Sequence, residues 1–344
     1  MGERRVVVIG ETAVDVLVAC GADEPVWGQV EREIGDARLV MGSSGAITAA
    51  ALAALGVAVS FVGVVGDDHL GRFFHDELVR HGVDVSALRV MPSERTGITV
   101  ALERDGDRAM LTYPGTMARL SADQVPAELI DNAAHVHVSS YFLQRGLREG
   151  LAPLFASARD SGATTSLDPG WDSDGTWDGG LSEVLGHVNW FLPNEAEARA
   201  IAAQLVKHSA FKRVGALVIL RAYGMEMVAV KRAGAGADLA HGSERLSLNT
   251  VPLIPLDTTG AGDNFNAGFI AGMLDGDPRE ALALGVACGR HSILGRGGTG
   301  SLATRDDVAD VVHHLLENMD AQQLITELPN DVTAMTSSPP EEER

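Results

Sequence analysis

The chain has 344 residues, 45% hydrophobic and 22% charged, enough for one large α/β domain or two smaller ones with a substantial core. Its 27 Lys and Arg stand against 47 Asp and Glu; the net charge of −20 argues against nucleic acid or anionic membranes as partners and leaves small molecules. Cys20 and Cys288 alone argue against a disulfide framework, and no apolar stretch is long enough for a signal peptide or membrane span, so a cytoplasmic protein is expected.

Val6 to Ile9 is a continuous β-branched run closed by Gly10 and reads as a buried parallel strand. Asp15 stands just beyond it inside the apolar stretch Ala13 to Ala19, a charge either exposed on one face or set at a ligand. Residues 21–40 are polar with weak strand alternation, as in a small sheet projecting from the body. Met41-Gly42-Ser43-Ser44-Gly45 opens a helix of Ala and Leu that runs to Leu55 and stops at Gly56. The helix has almost no polar face and should be buried; its small-residue entrance serves either a ligand near the backbone or tight helix packing. Val57 to Val65 reads as a second buried strand and Leu70 to His81 as an amphipathic helix. Thr96 to Tyr113, with Asp105-Gly106-Asp107 at its turn, reads as a β-hairpin that joins residues 13–40 in a small lid sheet.

From Ser121 onward strands are expected near 134–139, 163–168, 188–192 and 215–220, and helices near 147–161, 194–206 and 278–294. That alternation implies a doubly wound, mostly parallel sheet with ligands at the carboxyl ends of its strands. Residues 327–344, rich in Ser, Pro and Glu, are expected to be disordered. His135-x-His137 places two imidazoles on one face of a strand, but no further metal ligand is apparent. Asp172-x-Asp174-Gly175 opens like a calcium loop without its later acidic positions and reads as a turn. Asn194 and Glu197 stand at helical spacing after a strand, as a capping box or as two oxygens positioning a hydrated Mg²⁺. A P-loop motif and a Gly-x-Gly-x-x-Gly fingerprint are both absent.

The most informative stretch is Asp257-Thr-Thr-Gly-Ala-Gly-Asp263-Asn-Phe-Asn-Ala-Gly-Phe-Ile270. Small residues enter a helix there, so the amides of Gly260, Ala261 and Gly262 can approach an anion at the positive end of the helix dipole. An acid inside an anion site is costly unless it works, which makes Asp263 a candidate general base. The alternative at this level is an ordinary Gly-rich helix start capped by Asp.

Taken together these motifs resemble the ribokinase-like (PfkB) family of carbohydrate and nucleoside kinases from Val6 to about Leu302, with the 257–270 stretch matching the carboxyl-proximal signature throughout. The resemblance implies a three-layer α/β/α sandwich with a mostly parallel central sheet and a small β lid, in one kinase domain spanning residues 1–326. It implies ATP and Mg²⁺, with Asp263 as base and Gly260, Ala261 and Gly262 as the hole for the transferring phosphate. Asp15, Gly42 and Ser43 match substrate positions, Gly224 and Gly297-Gly298 the nucleotide pocket, and Asn194 and Glu197 the Mg²⁺ motif acting through water. Asp257 and Thr259 match a site for a monovalent cation such as K⁺, Val65-Gly66-Asp67-Asp68 with Gly71 matches the family's Gly-x-Asp-x-x-Gly, and the lid often doubles as a homodimer interface. Departures fall on the substrate side: Met41 and Ala46-Ile47 replace Gly and Asn, Ala13 an Asn, and Met227 a Gly of the nucleotide loop. The resemblance implies a sugar or sugar derivative as the acceptor. The rivals are a nucleoside kinase, whose less polar acceptor Met41 and Ile47 would suit, a non-catalytic sugar- or nucleotide-binding protein on the same fold, and a nicotinamide-dependent dehydrogenase.

Overall fold

The computed structural model describes residues 5–21, 25–104, 107–206 and 215–323. The opening β-branched run forms β1 (Arg5–Ile9), followed by β2 (Ala13–Ala19), β3 (Asp36–Met41), β4 (Ala58–Gly66) and β5 (Leu88–Met91). Next come β6 (Gly97–Arg104), β7 (Asp107–Tyr113), β8 (His135–Val138), β9 (Thr164–Leu167) and β10 (Trp190–Phe191). The last are β11 (Met227–Lys231), β12 (Ala237–His241), β13 (Glu244–Leu248) and β14 (Asp320–Gln323).

Among the described residues, ten strands form one sheet in the order β14-β13-β12-β11-β10-β9-β8-β1-β4-β5. Those from β11 to β5 in that order are parallel, and β12 to β14 close one edge antiparallel. Strand alternation sends Val6 and Val8 into one core and Val7 and Ile9 into another, so helices cover both faces in a three-layer sandwich. On the first face the helix Ser44–Ala54 is buried as its composition requires and packs on the helix Ala261–Asp275. That second helix holds Gly268 and Gly272 where a Cβ would meet Leu284 O at 2.6 Å and Ala281 Cα at 2.4 Å. Glycines inside a helix cost about 1 kcal/mol each against Ala; here they let the helix Pro278–Ser292 approach backbone to backbone.

The expected strand at 215–220 is instead the helix Ala216–Ala222, and the strand is β11, seven residues later. A short apolar run such as Ala-Leu-Val-Ile-Leu fits either state; the β-branched alternative, Met-Val-Ala-Val, takes the sheet position.

The small sheet has the order β3-β2-β6-β7, so the lid expected from residues 13–40 and 96–113 is present. Residues 105 and 106, where the hairpin turn is expected, and the 327–344 tail expected to be disordered lie outside the described residues. Asp68 ties the lid to the body. Its Oδ1 caps the helix His69–Arg80 through Gly71 N at 2.7 Å and accepts Thr96 Oγ1 at 2.8 Å, while Oδ2 accepts Thr96 N at 2.9 Å. Gly66 and Gly71 are needed for room, since a Cβ would meet Glu94 O at 2.5 Å and Gly66 O at 2.3 Å respectively. The Gly-x-Asp-x-x-Gly motif is therefore the junction from which β6 departs. Among the described residues no helix is long and apolar enough to cross a membrane.

Candidate active site

The helix Ala261–Asp275 begins at Gly260, which has φ 75°; a Cβ there would lie 2.5 Å from Gly298 Cα, so both conformation and space require glycine. Asn264 Nδ2 donates to the carbonyls of Gly260 (2.9 Å) and Gly298 (3.0 Å) and clamps the two loops together. Asp257 staples them from the other side: Oδ1 accepts Thr259 N (2.9 Å) and Oγ1 (2.7 Å), and Oδ2 accepts Gly297 N (2.7 Å). Ile47 wedges beneath, so close that a Cβ on Gly298 would meet its Cδ1 at 2.2 Å. No side chain caps this helix start. The Ala261 amide is bonded to Thr258 O at 3.3 Å, so of the three amides expected to form the anion hole it is the one already engaged.

Asp263 lies in the first helical turn. Burial, reinforced by Asp168 and Glu11, pushes its carboxyl up to about 8 against the opposing pull of Lys231 and the nearby Ser44 hydroxyl. Lys231, at the carboxyl end of β11, places Nζ 2.6 Å from Asp168 Oδ2 and 3.1 Å from Asn266 Oδ1. The Asn266 amide donates to the same Asp168 oxygen at 2.6 Å. A Cβ on Gly262 would lie 3.6 Å from Lys231 Nζ, which puts the ammonium beside the helix start and adds a full positive charge to the dipole. Burial alone would raise Asp168, but Lys231 and Asn266 outweigh it and hold the carboxyl below its ordinary value.

Asp15, on β2, faces the body from the lid, and burial followed by Glu11 pushes it up to about 6, with Arg108 opposing. Gly42 lies against it: a Cβ there would meet Asp15 Oδ1 at 2.4 Å. Ser43 takes φ 76°, a left-handed conformation, and its hydroxyl caps Ala46 N at 3.2 Å. Arg108 of β7 donates to Thr259 Oγ1 at 2.5 Å, joining the lid to the 257–260 loop. Asp15, Gly42, Ser43, Asp257, Thr259, Asp263 and Gly298 thus gather where lid and sheet meet.

Asn194 and Glu197 form the capping box: Oδ1 of Asn194 accepts Glu197 N at 2.9 Å, and Oε2 of Glu197 accepts Asn194 N at 2.8 Å. Burial, then Asp168, pushes Glu197 up to about 7, marking it as part of the same charge cluster. Gly224 is a correction. It ends the helix Ala216–Ala222 and precedes β11, at the amino end of the strand whose carboxyl end bears Lys231. The Gly-containing turn on the site's side is Arg232 to Gly236, and Met227, 3% exposed, is core. His135 bonds Thr164 Oγ1 (2.8 Å) and Ser166 Oγ (2.7 Å), and His137 bonds Ser166 Oγ (2.7 Å); burial lowers both, so they are neutral strand histidines. Asp172 accepts the amides of Asp174 (3.1 Å) and Trp177 (2.6 Å) and holds its own loop. No three His, Cys, Asp or Glu gather as a metal cage among the described residues.

Sequence reading missed Glu11, Asp168 as an ion-pair partner, Lys231 and Asn266. Each lies at or just past the carboxyl end of a strand or inside the signature helix; the one visible signal was a lone Lys closing the apolar β11 run.

The sequence profile of the pfkB family carbohydrate kinases matches residues 3–305. This chain belongs to that family. It is 32% identical over 284 residues to an ATP-dependent ribose-1-phosphate kinase from Halopiger xanaduensis, covering 81% of this chain and 88% of the relative. It is 26% identical to the ribokinase of Bacillus subtilis, covering 90% and 99%. An E. coli chain designated ribokinase II, solved with ATP and Mg²⁺, superposes with a TM-score of 0.76 at 24% identity, covering 91% of this chain and 99% of that one, a likeness of fold. As a PfkB carbohydrate kinase, the protein is a phosphotransferase acting on sugars or nucleosides.

Proposed function

We propose that this PfkB kinase transfers the γ-phosphate of ATP to a hydroxyl of a sugar or sugar derivative, with Asp263 as general base. The observation that carries the reading is Asp263 itself, an acid held in the first turn of an uncapped helix start beside Lys231. Asp15 and the Gly42-Ser43 backbone bind acceptor hydroxyls, and the lid above them excludes water, the competing nucleophile. The Gly260 and Gly262 amides and Lys231 hold the transferring phosphate, and Gly298 borders the nucleotide. Asp263 accepts the acceptor proton as its oxygen attacks phosphorus and the bond to the ADP oxygen breaks.

Glu197 and Asn194 fit a Mg²⁺ that arrives with the nucleotide and keeps most of its water, because a buried, raised carboxyl among other acids is stabilised by an added cation. When bound, that ion neutralises phosphate charge. A monovalent cation such as K⁺ is assigned to the backbone oxygens around Asp257 and Thr259, since both Asp257 carboxylate oxygens are already engaged. The relatives name ribose and ribose 1-phosphate as the acceptors to test first. Nucleosides rank behind sugars here: Met41 and Ile47, the apolar replacements that would suit a base, are 1% and 3% exposed, and Ile47 is spent supporting the Gly298 loop.

The test is ADP release from ATP and Mg²⁺ over pentoses, sugar phosphates, hexoses, sugar acids and nucleosides, in K⁺ and in choline. Turnover with a sugar is the expected result; turnover with nucleosides alone, or ATP binding without turnover on any acceptor, overturns it. The lid face opposite Asp15, bearing Val16, Leu39, Val100 and Leu111, is apolar, with Leu39 46% and Leu111 65% exposed. We assign it to a second copy of the chain. Light scattering that reads the mass of a single chain at micromolar concentration would remove that assignment.

A further inference from the structure

Asn266 is 0% exposed in the helix Ala261–Asp275, and the reaction as written gives it no task. Asn is a poor helix former, and a buried amide without partners is costly, so its place inside this apolar helix needs a reason. In a helix a side chain leans back over the preceding turn, which sets Asn266 beneath Gly262 and Asp263, four and three residues earlier. Both ends of its amide are engaged there. Oδ1 accepts Lys231 Nζ at 3.1 Å, and Nδ2 donates to Asp168 Oδ2 at 2.6 Å, the oxygen that also accepts Lys231 Nζ at 2.6 Å. Each of the three side chains therefore touches the other two. Lys231 can only donate and the Asp168 carboxylate only accept, so the amide closes this ring in a single orientation. Asp168 is itself fixed, because its Oδ1 accepts Gly170 N at 3.0 Å and its own N–H donates to Val138 O at 2.9 Å.

We propose that Asn266 is a positioning residue for Lys231: bonded to the ammonium and to its counter-ion together, it aims the ammonium at the phosphate being transferred. This rests on Lys231 holding that phosphate. A lysine is a compact charge on a flexible four-carbon stem, and a single carboxylate partner would let the ammonium swing about it. Two acceptors fix its direction. Of its three N–H donors, Asp168 and Asn266 take two among the described residues, and the third is left for an anion at the helix start. Gly262 gives the ammonium access to that place, since a Cβ there would lie 3.6 Å from Nζ and 3.8 Å from Cδ of Lys231. Asn266 is uncharged, so replacing it leaves the charges that face Lys231, from Asp168, Glu197 and Asp263, as they are. Its effect is thereby separable from that of the charge itself.

The experiment compares wild type, Asn266→Ala, Lys231→Met and the double variant, each below its Tm, with MgATP and the better acceptor of ribose and ribose 1-phosphate. Calorimetry with Mg²⁺ and either a non-hydrolysable ATP analogue, which carries a γ-phosphate, or ADP, which lacks one, gives a second readout. Asn266→Ala should lower kcat about tenfold, the scale of one hydrogen bond to a charged group. It should weaken the ATP analogue by a similar factor and leave ADP affinity and acceptor KM near wild type, a split that a merely structural amide would not produce. In the Lys231→Met background the same substitution should leave kcat almost unchanged, because no ammonium remains to be aimed. If Asn266→Ala does not fold, Asn266→Leu, which fills the space without polar atoms, carries the same readouts. Analogue and ADP weakened alike, or wild-type kcat in Asn266→Ala with Lys231→Met slow, overturns the positioning role alone. Wild-type kcat in Lys231→Met removes Lys231 from the phosphate and this inference with it.

Discussion

Asp263→Asn is expected to lower kcat by about 10³-fold, within the range that a positioned general base supplies. Asn has the shape of Asp and fills the same space, so the helix start and the Gly298 loop keep their geometry. What it loses is the ability to take the acceptor proton. ATP affinity, read by calorimetry, should therefore stay near wild type while coupled ADP release collapses. The pH dependence sharpens the test. Wild-type kcat should rise with pH along a limb displaced above the ordinary carboxylate range, because burial and Asp168 push Asp263 up to about 8. The variant's residual rate should lack that limb. Stability moves the other way: a carboxyl whose folded value lies above its unfolded one helps at low pH and loses that help as pH rises from about 4 towards 8. The Asn variant has no such loss, so its Tm should gain on wild type across that window. Turnover within tenfold of wild type would reject Asp263 as the base.

What was legible in the sequence is what is local. Strands whose apolar residues are contiguous, such as β1 and β4, declare themselves because both faces of a parallel strand are buried. The glycine helix start and the acid in its first turn were readable because their residues lie within a few positions of one another, 257 to 263. The capping box of Asn194 and Glu197 was readable for the same reason. Lys231, Asp168, Asn266 and Glu11 were not. They come from the end of β11, from just past β9 and β1, and from the signature helix, and only the parallel order of the sheet brings the strands' carboxyl ends together. A charged residue that closes an apolar strand looks the same in sequence whether it meets solvent or a buried partner. The misplacement of Gly224 has a related cause: reading the helix Ala216–Ala222 as the strand carried the glycine loop to the wrong end of the sheet.

The replacement of Asn by Ile47 has a consequence that sequence comparison alone would misjudge. As a missing polar group it argues for a less polar acceptor. In the fold its side chain lies under Gly298 and within 3.2 Å of where a Gly260 Cβ would be, so it holds the two glycine loops in register. The departure therefore acts on the packing of the two glycine loops against the helix Ser44–Ala54.

Lys231→Met should have the largest effect on stability. The Lys231–Asp168 pair has side-chain exposures of 12% and 8%, and Lys231 is a cation that Asp168, Glu197 and Asp263 all feel. Removing it leaves Asp168 with the Gly170 amide and the Asn266 amide as donors, but with no opposite charge. Breaking a buried pair on one side typically costs about 3–5 kcal/mol, more than a well-packed apolar replacement would cost if both partners were changed. The deficit has a pH signature. In wild type the depressed Asp168 carboxyl contributes stability above its unfolded value of about 4, and this is lost as pH falls through the folded one. Without Lys231 that contribution disappears and the three acids repel one another, so the deficit should be widest near pH 8 and narrow towards pH 5 as they protonate. Denaturant unfolding at both pH values measures it. Adding Asp168→Asn to Lys231→Met should recover part of the loss, because a neutral amide needs no buried counter-charge. A deficit that is the same at both pH values, or a double variant no more stable than the single one, would show that Lys231 acts by packing and not as the counter-ion on which this acidic site is built.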